Sequence, residues 1–121
     1  MRRALQAIAA SAAAAIISTA AMAEGQGKYN VSGTNVKDKS QYEGTATFTK
    51  TGQMTWRVVE DIGSESFEGF GIGDGKVIAV SFASDGSNTV ALFIANPDGS
   101  YSGSWADEGD TEISTETLKP Q

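Results

Sequence analysis

Four glycines alternate through Gly69-Phe70-Gly71-Ile72-Gly73-Asp74-Gly75-Lys76, a spacing that invites comparison with loops that cradle phosphate. The dinucleotide pattern needs glycine where Asp74 or Lys76 stands, and the P-loop needs one at Phe70 and Ser or Thr at Val77, so neither template fits. The run reads instead as a strand with one bare face, to be covered by a core aromatic such as Trp56 or Trp105, or by a ligand. Asp107, Glu108, Asp110 and Glu112 crowd together near the C-terminus, but without calcium-loop spacing they read as a solvated turn. Glu43, Glu60, Asp61, Glu65 and Glu68 are near enough in sequence for paired-carboxylate chemistry, which would require two carboxylates to converge in a cleft. Alternation points Glu43 and Glu68 to solvent. Ser and Thr are abundant, but the chain has no His to activate them and no Cys, and it lacks the Ser-x-x-Lys and Gly-x-Ser-x-Gly signatures. The expectation is a protein that is not an enzyme, with no catalytic residue, no metal site and no cofactor.

The aromatics are the better candidates for binding. Tyr42, Trp56, Phe67, Tyr101 and Trp105 fall on one face of their segments, where an apolar ring with a polar tip can line a small-molecule pocket. The same rings can also simply fill a core.

The elements that must position these rings are strands. Tyr42, Gly44, Ala46 and Phe48 share one face of a period-2 run, with Glu43, Thr45, Thr47 and Thr49 on the other. Met54, Trp56 and Val58 alternate in the same way. Further runs cover Lys28–Gly33, Ser66–Ile72, Val77–Ala83, Thr89–Ala95, Ser100–Trp105 and Glu112–Leu118. Gly73-Asp74-Gly75, Ser84-Asp85-Gly86-Ser87 and Asn96-Pro97-Asp98-Gly99 stand where hairpin turns should be. Eight short strands in consecutive hairpins predict an all-β, antiparallel up-and-down barrel, with a two-sheet sandwich as the alternative. Closure would hide the strand edges. Three aromatic-x-Gly copies, at Tyr42-Glu43-Gly44, Phe67-Glu68-Gly69 and Tyr101-Ser102-Gly103, fit bends at which a ring covers bare backbone.

Before the strands comes an address. Met1-Arg2-Arg3, the apolar stretch Ala4–Ala21 and the small-x-small site Ala21-Met22-Ala23 form a secretory signal peptide over residues 1–23, cleaved between Ala23 and Glu24. Cleavage leaves a single domain of 98 of the 121 residues and removes two of nine basic side chains, taking the net charge from −6 to −8. That acidity argues against nucleic acid as a partner. Once the leader is removed, nothing in the sequence calls for stable membrane insertion.

Several of these pieces carry a resemblance. Tyr42-Glu43-Gly44-Thr45-Ala46-Thr47, Phe67–Ile72, Tyr101–Trp105 and Thr115-Glu116-Thr117-Leu118 resemble small secreted bacterial β-meander proteins of uncharacterised role, some labelled fibronectin-binding. In general form the chain is similar to lipocalin-like and avidin-like barrels. The likeness spans most of residues 28–118 and implies the fold more than an activity.

Two functions are expected from this. One is a monomeric binding module, periplasmic or extracellular, holding a small apolar ligand in a pocket lined by Tyr42, Trp56, Phe67, Tyr101 and Trp105. The other is an adhesin-type surface that takes an envelope protein or a fibronectin-like matrix protein. An unfilled inward cavity favours the first; exposed aromatics or an unpaired strand edge favour the second.

Overall fold

In the computed structural model, which describes residues 24–121, alternation in the sequence becomes alternation between inside and outside. The strands are β1 (Gly27–Thr34), β2 (Gln41–Lys50), β3 (Thr55–Ile62), β4 (Glu65–Gly73), β5 (Val77–Ser84), β6 (Ser87–Ala95), β7 (Tyr101–Asp107) and β8 (Ser114–Pro120). Each pairs antiparallel with the next, and β8 pairs back onto β1 from Tyr29↔Pro120 to Thr34↔Thr115, closing an eight-stranded up-and-down barrel. The sandwich alternative is thereby set aside. The leader and the Ala23 side of the cleavage site lie outside the described residues.

Turn chemistry fixes the registers. Asp85 and Gly86 both have positive φ, at 47° and 81°, as a two-residue type I′ hairpin between β5 and β6 requires. Asp74 and Asp98 close their turns by accepting from backbone N–H groups two residues on, at 2.9 and 3.0 Å. The N–H groups of Lys76 and Val77 hold the Asp74 carboxyl below the ordinary aspartate range, and the Ser100 hydroxyl, with its N–H, does the same for Asp98. Met54 was expected to share the Trp56 face, but it lies in the β2–β3 turn and is exposed.

Eight strands enclose an interior just wide enough for side chains, and here only one end is filled. Tyr29, Phe48, Trp56, Phe93 and Tyr101 are all buried there. The Phe48 ring stacks on Tyr101 at 5.6 Å and meets Tyr29 and Phe93 edge-on at 5.3 Å each. Such geometries add roughly 0.5–1.5 kcal/mol per pair beyond burial. Their polar tips are satisfied by the chain that caps this end. Tyr29 donates to the Gly25 carbonyl at 2.6 Å, Trp56 Nε1 donates to the Gly73 carbonyl at 2.9 Å, and Tyr101 donates to the Gly75 carbonyl.

The bare face of β4 is covered, but not by a tryptophan. A Cβ on Gly69 would meet Val80 and Phe82 at 2.7 Å, and one on Gly71 would meet Val80 and Ile78 at 3.0 and 3.2 Å. The inward side chains of β5 thus supply the bulk assigned above to Trp56 or Trp105. Phe82 is the core aromatic that covers Gly69, whereas Trp56, although it pairs with Gly71 from β3 on the other side, is not among the nearest atoms, and Trp105 on β7 is farther round the barrel.

Candidate functional site

The other end of the barrel is hollow. Its cavity of about 340 Å³ opens among the β1–β2, β3–β4, β5–β6 and β7–β8 connections. The walls are mostly apolar or aromatic. Tyr42, Ile62, Phe67, Phe82, Ala91 and Trp105 supply that surface, and Asn35, Ser40, Thr89 and Asp107 stand around the rest with Glu60 and Glu116.

Small residues create the space. Gly33 faces inward between Tyr42 on one side and Glu116 on the other, and Gly103 is the next inward neighbour of Glu116. A Cβ at Gly33 would overlap the Tyr42 phenol and approach the Glu116 Cβ to 2.9 Å. Glu60 pairs with Ala46 and Phe67, so its long side chain extends past a small neighbour.

A polar chain crosses this apolar wall. Trp105 Nε1 donates to the Tyr42 hydroxyl at 2.8 Å, and Tyr42 donates to Glu116 Oε1 at 2.7 Å. Glu116 in turn faces Glu60, and each residue is 7% exposed. Burial disfavours the charged form of Glu60, and its hydrogen bond with Glu116 and the charge there act in the same direction, so the Glu60 carboxyl holds its proton well above the ordinary range. Burial, reinforced by the Glu116 charge, likewise pushes the Tyr42 phenol up. No basic side chain lines the cavity among the described residues. Lys37 stands at the rim instead, 3.0 Å from Asp107 and 3.1 Å from Asp110. Asp107 also accepts from the Thr89 hydroxyl, and that bond together with Lys37 keeps its carboxyl low.

Of the five aromatics singled out by sequence, the barrel brings Tyr42, Phe67 and Trp105 to the cavity. Trp56 and Tyr101 lie in the filled end, 0% and 1% exposed. Glu43 and Glu68 face solvent as expected. Glu60 does meet a second carboxylate, but its partner is Glu116 from the far end of the chain rather than a sequence neighbour. The usable signal was parity: Glu60 alternates with Trp56 and Val58, and Glu116 with Leu118, so both acids sit on apolar faces. The acidic C-terminal turn is partly neutralised through Lys37.

The outside of the barrel has its own feature. Phe70 and Ile72 on β4, Val77 on β5, and Val90, Leu92 and Ile94 on β6 are 41–61% exposed. The registers Ile72↔Ala79↔Leu92 and Phe70↔Ser81↔Val90 place them on one continuous outer face.

No protein-family model matches the chain, and no curated protein matches it either.

Proposed function

We propose that the protein is an exported, monomeric, non-enzymatic binding module that holds a small apolar or amphipathic molecule in the open half of its barrel. The observation that carries this reading is the cavity of about 340 Å³, with apolar walls and a few convergent polar groups. That combination and size are typical of small-ligand sites. The filled half supports it as a base, since the buried aromatic plug occupies the opposite end of the barrel. The non-enzymatic reading rests on the sequence, which has no His or Cys to activate a nucleophile and none of the serine-nucleophile signatures. Export to the periplasm or medium rests on the leader at residues 1–23.

Native mass spectrometry on the mature protein, recovered gently from its producing cell, tests the reading. A discrete added mass that vanishes on denaturation is the expected result. A bare polypeptide mass under conditions that preserve the fold would count against it.

A second reading has its own observation. The outer apolar face from Phe70 to Ile94 fits an extracellular or envelope protein partner, of the fibronectin-like kind implied by the resemblance. Loss of capture on Phe70→Ser with Leu92→Thr, from a pull-down on matrix and envelope proteins, would favour it.

A further inference from the structure

The cavity contains more acid than its walls can neutralise. Four titratable groups face it: Tyr42 from β2, Glu60 from β3, Asp107 from β7 and Glu116 from β8. The inward positions of β1, β4, β5 and β6 bring only Gly33, Phe67, Phe82, Thr89, Ala91 and similar uncharged residues to this end. Two carboxyl groups more than nine-tenths buried and without a cation beside them among the described residues are costly to ionise together, because no counter-charge offsets their repulsion. Glu116 is held in place by the Trp105–Tyr42–Glu116 hydrogen-bond chain, so it cannot swing out without breaking that chain. Around them stand the faces of Tyr42, Phe67 and Trp105, which favour a cationic head as well as an apolar body. At the rim, the Lys37 ammonium is already drawn to Asp107 and Asp110. The described barrel as a whole carries seven basic against 15 acidic side chains, a field that concentrates cations.

We propose that the ligand of this cavity is an organic cation, an amine on an apolar or aromatic body, whose ammonium group binds Glu60 and Glu116 and displaces the proton that they share. This deepens the small-ligand reading and rests on it. The ammonium donates to both carboxylates, and the displaced proton leaves to solvent, so binding is linked to proton release. An uncharged head group has no means of ionising the pair.

Isothermal titration calorimetry of the mature protein tests this, with naphthylmethylamine and its neutral isostere naphthylmethanol as probes. Each titration is run near neutral pH in two buffers of different ionisation enthalpy. The expected result is at least ~10-fold tighter binding of the amine, with about one proton released per molecule bound. Glu60→Gln should bring the affinity ratio toward one and abolish the proton release. Equal binding of both probes without proton release would overturn the cation assignment and leave the small-ligand reading standing. Failure of both probes at millimolar concentration, together with a bare native mass, would overturn both.

Discussion

Glu60 on β3 and Glu116 on β8 meet inside the barrel across two intervening strands, both more than nine-tenths buried and with no basic side chain beside them among the described residues. The inward residues Gly33, Gly44 and Ala46 on those strands leave the room. A pair like this lowers stability when both members ionise, and a core built only for stability would have apolar residues there.

Glu60 makes the barrel sensitive to pH in a defined direction. The unfolded chain releases this proton near the ordinary value of 4.5, whereas the folded barrel keeps it because of burial and Glu116. The folded state therefore binds more protons above that value, and stability falls as pH rises. The contribution is complete below the unfolded value and is lost progressively toward alkaline pH. Glu60→Gln keeps the shape and the hydrogen bond without the titration. Urea unfolding should show the wild type losing roughly 1–3 kcal/mol more than the variant between about pH 5 and about pH 9. Parallel profiles would show that the pair does not share a proton.

Gly33→Ala tests the space around the pair. The added methyl must displace the Tyr42 ring or Glu116, and both are tied into one hydrogen-bond chain. A loss of about 1–3 kcal/mol in unfolding free energy is expected, as for other overpacked interiors. A neutral effect would mean that the Tyr42 ring is free to move.

Phe48 and Phe67 should separate the two halves of the barrel. Phe48 is fully buried among four other rings, so Phe48→Ala should cost about 3–5 kcal/mol. Phe67 is 36% exposed at the cavity wall. Phe67→Ala should cost less than about 1 kcal/mol and weaken ligand binding instead. Denaturant unfolding of both variants, with calorimetric titration of the second, checks this.

The strands were legible because alternation and Asp-Gly turns are local, as Tyr42–Phe48 and the Asp85-Gly86 hairpin show. The division of the interior was not. Period 2 places Trp56 and Trp105 both inward, but their heights along the barrel axis depend on the stagger between strands, and that puts one in the plug and the other at the cavity. The Glu60–Glu116 contact was hidden for the same reason: it joins β3 to β8 through closure, which no sequence neighbourhood reports. Gly69 and Gly71 lie between β3 and β5, and alternation alone does not say which neighbour's side chains, Trp56 and Val58 or Val80 and Phe82, come nearest.

The chain has two tryptophans, and each indole N–H reports on one half of the barrel. Trp56 donates to Gly73 in the plug, and Trp105 donates to Tyr42 at the cavity. Two-dimensional ¹H–¹⁵N NMR during titration with naphthylmethylamine therefore tests directly whether a ligand occupies the open half. The Trp105 indole signal should shift with ligand, together with the amides of Tyr42, Glu60 and Glu116, while the Trp56 indole stays in place. A moving Trp56 signal with a stationary Trp105, or shifts confined to the outer Phe70–Ile94 face, would contradict the account.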